Sequence, residues 1–99
     1  MLTSLLVACS TVDATRLFRS GTAALDRGDS ASAVRDLEGA ARLLPESSAV
    51  HNNLGLAYAA AQRDDDALRA FERAVAIDCD NQAAQTNLAR ARAPAGAAR

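Results

Sequence analysis

The chain has 99 residues, of which 49% are hydrophobic, and a formal net charge of -1 at pH 7. A chain of this length forms one small domain with a limited core. The balanced charge, with no basic cluster, excludes the electrostatic footprint of a nucleic-acid-binding protein. Its two cysteines lie far apart and provide neither a disulfide framework nor zinc-type spacing, so we expect no metal and no cofactor. No segment is long enough to span a bilayer as a mature helix.

Residues 1–12 form an apolar segment that differs from everything after it. Its tetrapeptide Leu6-Val7-Ala8-Cys9 resembles a bacterial lipobox, in which cleavage before the cysteine is followed by lipidation of the sulfur. A secretory signal begins with positive charge, whereas this chain has no Lys or Arg before Arg16. A start codon assigned too far downstream would produce this appearance. The alternative interpretation is that residues 2–8 are the frayed end of a helix that packs on the following segment.

Residues 13–47 are predicted to form a pair of helices. The first covers 14–26, where apolar residues recur at helical spacing. Gly28 suits the left-handed position after a helix, and Ser30 is expected to cap the second helix by accepting a backbone hydrogen bond. Pro45 ends that second helix.

Residues 48–81 are predicted to form a second helix pair with a polar break at 62–64. Ser47 or Ser48 caps its first helix. Three consecutive carboxylates, Asp64 to Asp66, open its second helix. Such a run could suggest a metal site, but at a helix start it indicates a cap and two charges that complement the positive end of the helix dipole.

Residues 82–93 are predicted to form a last helix, starting near Asn81, with a polar outer side. A helix of this kind covers the apolar face of the preceding pair in a repeat array. Pro94 ends it, and residues 94–99 are expected to be disordered.

The two helix pairs repeat each other at an interval of 34 residues, which separates Gly21 from Gly55. Together with its Leu-Gly and aromatic positions, this period resembles the tetratricopeptide repeat. The resemblance implies an all-α fold, a right-handed α–α superhelix of two helix pairs plus a terminal capping helix. The signature positions are Gly21, Ala33, Leu37, Ala40, Pro45, Leu54, Gly55, Tyr58, Ala67, Phe71 and Ala74.

Catalytic chemistry is not expected of this chain. His51 is its only histidine and stands where the repeat family has a bulky, half-buried aromatic residue, so we interpret it as a packed or surface imidazole. No Ser or Cys is placed to form a triad with it. Cys79 stands in place of the second repeat's expected proline and is interpreted as a turn residue. The protein is therefore predicted not to be an enzyme.

The resemblance implies a groove that binds a peptide or a partner helix and is lined by the first helix of each pair. Asn53 and Asn87 share one repeat position, where stacked asparagines clamp an extended peptide in some long members of the family. Arg19 occupies that position in the first repeat, and the alternative is that both asparagines cap turns or face solvent. An exposed apolar patch around Phe18 would favour a partner or a homodimer. The carried-over groove positions are Phe18, Thr22, Leu25, Asn52, Asn53, Leu56, Asn87 and Arg90.

Three hypotheses follow for the function. The first is a bacterial cell-envelope lipoprotein, anchored through Cys9 and facing the periplasm, that acts as a scaffold for assembling other proteins. The second is a soluble cytoplasmic adaptor that binds peptide tails. In the third, the chain is an accessory module of an enzyme encoded nearby, and catalysis belongs to that partner.

Overall fold

A computed structural model describes the backbone of residues 2–93 and the side chains of residues 11–93. This part of the chain is all-helical, which confirms the predicted fold class. The predicted disorder of residues 94–99 falls outside the described residues. The predicted lipidation of Cys9 also falls outside them, because the Cys9 side chain is not described. The five helices are α1 (Leu2–Asp26), α2 (Ser30–Leu43), α3 (Ser48–Ala60), α4 (Asp64–Ile77) and α5 (Gln82–Arg92).

Helix α1 begins at Leu2, well before the start near Ala14 that the apolar spacing predicts. The sequence offers a reason, because no glycine or proline precedes Gly21 and nothing in this segment interrupts a helix. The apolar spacing used for the prediction starts at residue 14 and therefore marks only the later part of this helix. The first described buried side chain is Ala14.

The turns between paired helices repeat with the same hydrogen bonds. In the first repeat the N–H of Asp29 donates to the carbonyl of Ala24 at 2.8 Å, and in the second the N–H of Arg63 donates to that of Tyr58 at 2.8 Å. Both are the six-to-one bonds of a Schellman motif, which needs one residue in the left-handed conformation. Gly28 fills that place with φ of 79°, as predicted, and Gln62 fills it in the second repeat with φ of 62°.

The caps of α2 and α3 correct one predicted assignment and confirm another. Asp29, not Ser30, caps α2, because its carboxylate accepts the N–H of Ser32 at 3.2 Å. Ser30 is already the first helical residue, so its hydroxyl is one position too late. Ser47 caps α3 as predicted, accepting from the N–H of Val50 at 3.3 Å.

The acidic start of α4 is not a side-chain cap. Arg63 occupies the cap position and makes no capping hydrogen bond, while Asp64, Asp65 and Asp66 all lie inside the first helical turn. The predicted cap at this run is therefore wrong, but the placement of the charges at the positive end of the helix is as expected. Asp66 also pairs with Arg63 at 2.9 Å and with Arg69.

Each helix pair closes where a glycine of the first helix meets a large side chain of the second. A Cβ added to Gly21 would lie 2.5 Å from Cγ of Leu37, and one added to Gly55 would lie 2.4 Å from Cε1 of Phe71. Leu37 and Phe71 are both buried. The absence of a side chain at the two glycines therefore sets the close approach of α1 to α2 and of α3 to α4.

Successive pairs stack through contacts of α2 with α3 and of α4 with α5. A polar link recurs at this junction. The hydroxyl of Tyr58 donates to Glu38 at 2.6 Å, and one repeat later Arg92 lies 3.5 Å from Glu72. Each link joins the second helix of one pair to the first helix of the next unit, so the same positions hold the stack together twice.

Candidate partner-binding groove

The inner side of the stack is formed by α1, α3 and α5, the first helices of the successive units. Helix α3 contacts α1 on one side and α5 on the other. The carried-over groove positions lie on these three helices, while α2 and α4 form the other layer.

The apolar groove positions are partly used by the core. Phe18 and Leu25 are partly buried and pack against a cluster that includes Ala24, Leu54 and Ala57. This placement limits the aromatic surface that Phe18 could offer to a second copy of the chain. It does not test the predicted homodimer.

Leu56 packs against a second cluster and is also partly buried. This cluster contains Phe71 of α4 and Leu88 of α5. The Leu56 side chain therefore lies at the junction of α3 with α4 and α5 and is only partly exposed.

Two asparagine amides connect the three inner helices. The Nδ2 group of Asn53 donates to the hydroxyl of Thr22 at 3.3 Å, which joins α3 to α1. The Nδ2 group of Asn87 donates to Oδ1 of Asn52 at 2.9 Å, which joins α5 to α3. Thr22 in turn donates to the carbonyl of Phe18 at 2.8 Å, which fixes its hydroxyl. Both amides are thus held by a neighbour on the preceding inner helix.

These bonds leave part of each amide available. An asparagine amide offers two N–H groups and a carbonyl oxygen. Asn53 and Asn87 each donate one hydrogen bond from Nδ2 to another described side chain. Among the described residues no buried side-chain N or O atom lacks a partner. The Oδ1 atoms of Asn53 and Asn87 accept no hydrogen bond from the described residues, so by the same criterion neither oxygen is fully buried. Asn52 differs, because it is 7% exposed and serves to hold Asn87.

The remaining groove position, Arg90, is exposed on α5. Helix α1 also carries an open concavity of about 390 Å³. It is lined by Thr11, Val12, Thr15, Arg16 and Arg19. Val12 is 59% exposed there, so this end of α1 presents a mixed surface of apolar, hydroxyl and guanidinium groups.

The residues considered for catalysis or for metal binding in the sequence lie apart in the structure, on α3, in the turn before α5 and at the start of α4. The imidazole Nε2 of His51 lies 2.9 Å from the carbonyl of Pro45. Because a carbonyl only accepts, that nitrogen carries the proton and donates it. Cys79 is a free, exposed thiol in the turn before α5. Within the described residues, no three or more His, Cys, Asp or Glu side chains are grouped so that they could hold a metal ion. The three aspartates at the start of α4 do not form such a group.

Tyr58 makes a polar contact between repeats that the sequence did not predict, a hydrogen bond from its hydroxyl to Glu38. Burial of its hydroxyl and the hydrogen bond to Glu38 raise the pKa of Tyr58 to about 12. The guanidinium of Arg63 lies 4.6 Å from the centre of the ring. The repeat signature marks position 58 as aromatic, and only the acid at position 38, one helix earlier, could have signalled the hydrogen bond.

Within the described residues, no helix combines the length and the apolar character that a membrane crossing would need. The search of curated proteins gives no match to this chain. The family model described as Tetratricopeptide repeat matches residues 18–84, a range that runs from within α1 through α2, α3 and α4 to the start of α5. Because the match spans more than half of the chain, the protein belongs to the tetratricopeptide repeat family.

Proposed function

We propose that this chain is a non-enzymatic scaffold that binds an extended peptide or a helix of a partner protein in the groove on α1, α3 and α5. Tetratricopeptide repeats generally mediate protein–protein interactions, and the family is generally non-catalytic. The observation that carries the proposal is the pair of amides, Asn53 and Asn87, each anchored through Nδ2 and each with an oxygen that is not fully buried.

Anchored amides suit the recognition of a peptide backbone. A peptide group offers one donor and one acceptor, and an asparagine amide can serve both. Binding costs less when the receiving side chains are already held in place, because fewer rotamers are frozen on association. The bonds to Thr22 and Asn52 hold these amides before any partner arrives.

The test is selection from a phage-displayed library of random 12-residue peptides, followed by titration of the selected peptides by fluorescence polarisation. The variant Asn53→Ala/Leu56→Ala/Arg90→Gln is expected to weaken binding at least tenfold, since it removes an amide, an apolar contact and a charge from one face. The control is Arg42→Gln, an exposed change on α2. Because Leu56 contributes to packing, the single variant Asn53→Ala is measured alongside the triple variant. A thermal melt of each variant shows whether it is folded. Unchanged affinity in both folded variants would contradict the groove assignment.

We further propose that this scaffold is a bacterial envelope lipoprotein that assists the assembly of other proteins. The support is the lipobox-like tetrapeptide that ends at Cys9. The protein is expressed in a bacterial host with its native upstream sequence, and its intact mass and detergent partitioning are measured. Loss of the residues before Cys9 with a diacylglyceryl or triacyl addition is the expected result. A Cys9→Ala variant is the matched control and should abolish the addition.

One structural feature favours a cytoplasmic adaptor as the second candidate. Helix α1 runs without a break from Leu2 into the first repeat, so the segment before Cys9 is continuous with the repeat. An unmodified chain that begins at Met1 and partitions with water would support this candidate and contradict the lipoprotein.

A further inference from the structure

Charge is distributed unequally between the two layers of helices. Of the twelve Asp and Glu residues in the chain, only Asp13 and Asp26 belong to the inner helices α1, α3 and α5, and both lie on α1. Helices α3 and α5 contain no acid at all. The inner helices carry four arginines, Arg16, Arg19, Arg90 and Arg92. A chain with a net charge of -1 therefore has a basic inner layer.

Two of these four arginines have no acidic partner. Arg16 lies 3.4 Å from Asp13, and Arg92 lies 3.5 Å from Glu72. Arg19 and Arg90 make no ion pair with any described residue and are exposed. Arg19 occupies the repeat position of Asn53 and Asn87, and Arg90 occupies that of Thr22 and Leu56. Both unpaired charges thus fall on positions of the inner face.

The two unpaired arginines lie on the two outer helices of the inner layer, Arg19 on α1 and Arg90 on α5. Helix α3 lies between α1 and α5 and contacts both. Since packed helices are about 8–10 Å apart, the two outer helices are separated by about 16–20 Å. An extended peptide rises about 3.3 Å per residue, so about five or six residues cover this distance.

We propose that the partner segment bound in this groove is acidic, with two Asp or Glu side chains about five or six positions apart. This inference rests on the function proposed above. One carboxylate pairs with Arg19 and the other with Arg90, while the amides of Asn53 and Asn87 contact the peptide backbone between them. Guanidinium groups favour carboxylates because they offer paired N–H donors in matching geometry. A basic segment would meet two unpaired positive charges and no acid on α3 or α5.

Two isolated charges at this spacing do not suit a nucleic acid. A nucleic-acid strand carries a phosphate at every nucleotide and is bound by a dense row of cations. The described inner face has two unpaired arginines, and α3 has no Lys or Arg. An acidic protein segment is therefore the occupant that fits the spacing.

The test uses peptides selected from the phage-displayed library, each remade with Asp→Asn and Glu→Gln. Affinities are measured by fluorescence polarisation at low and at physiological salt. We expect the selected peptides to be acidic and the neutral versions to bind about tenfold more weakly. In the double variant Arg19→Gln/Arg90→Gln the acidic and neutral versions should bind almost equally. Arg42→Gln is the matched control for the single variants Arg19→Gln and Arg90→Gln, because it removes one exposed arginine without an ion pair among the described residues, on the other layer.

Three results would overturn the inference. Selected peptides that are neutral or basic, and whose binding still depends on Asn53 and Leu56, would leave the groove intact and remove the acidic partner. Equal losses in Arg19→Gln, in Arg90→Gln and in Arg42→Gln would show that the two arginines act only through net charge. Displacement of the peptide by a single-stranded oligonucleotide at the same concentration would point to phosphate binding. Failure to select any peptide dependent on the groove would count against the proposed function itself.

Discussion

The crossing of α3 with α4 makes a sharp prediction for Gly55→Ala. A Cβ at this position would lie 2.4, 2.6 and 2.9 Å from three atoms of the Phe71 ring. Distances below 3.0 Å are closer than Cβ atoms come in real proteins. Phe71 is only 3% exposed, so its ring has little room to move aside.

Two opposing terms set the size of the effect. Alanine in place of glycine inside a helix stabilises it by about 1 kcal/mol. Overpacking a filled core costs about 1–3 kcal/mol, and three simultaneous ring contacts place this site toward the upper end. We therefore expect a net loss of about 1–2 kcal/mol in the free energy of unfolding. In a domain of this size that lowers the melting temperature by about 4–16 °C. Gly55→Leu, which adds a whole branched side chain at the crossing, should cost more.

The assay is urea unfolding followed by circular dichroism, with two controls. Ala59→Gly, at an exposed position of the same helix, measures the propensity difference alone and should cost up to about 1 kcal/mol. Phe71→Val removes all three ring atoms that a Cβ would meet. In that background Gly55→Ala should become neutral or stabilising, since only the propensity term remains.

A Gly55→Ala protein at least as stable as the parent chain would refute the reasoning. So would an equal loss with and without the Phe71 ring. Either result would mean that the glycine does not set the approach of the two helices.

The remaining predictions concern the turn before α4 and the junction around Tyr58. Gln62→Gly should raise the free energy of unfolding by about 0.5–1 kcal/mol, because Gln62 holds φ of 62°; a lower melting temperature would contradict this. Gly28→Ala should lower it by about 1 kcal/mol, through backbone strain alone because nothing lies within 4 Å of the added Cβ. Tyr58 is the only tyrosine, so absorbance at 295 nm reports its titration, with an expected midpoint near the pKa of about 12. The folded state holds this proton more tightly than the unfolded chain. The associated stability is therefore complete below pH 10 and lost between pH 10 and about 12. In Tyr58→Phe that loss should disappear, and a wild-type midpoint near 10 would argue against the buried hydrogen bond.

The sequence was sufficient for the features that repeat. The interval of 34 residues between Gly21 and Gly55 indicates two equivalent helix pairs, and the structure shows the same turn hydrogen bonds in both. Features that break the repeat were harder to predict. Gln62 stands in the left-handed position that Gly28 occupies in the first repeat, and glutamine carries no local signal for that conformation. The helical start at Leu2 lacks a core-facing pattern that would have marked it.

The sequence predicted which repeat positions the groove residues occupy, but it did not predict which side chains they contact. Periodicity places Asn53 and Asn87 in one row, whereas their actual partners are Thr22 and Asn52. These pairs depend on side-chain rotamers and on the distance between neighbouring inner helices, and neither can be read from spacing alone. The same holds for Tyr58 and Glu38, whose hydrogen bond joins two different repeats.

The binding role of the inner face is tested most directly by mapping a bound peptide on the folded protein. We would record ¹⁵N–¹H correlation spectra of the labelled chain during titration with the tightest peptide selected from the library. The largest shift changes are expected on α1, α3 and α5, at Thr22, Asn53, Leu56 and Arg90, including the Asn53 side-chain amide. Changes concentrated on α2 and α4, around Arg42 and Arg69, would place the partner on the opposite layer and contradict the groove.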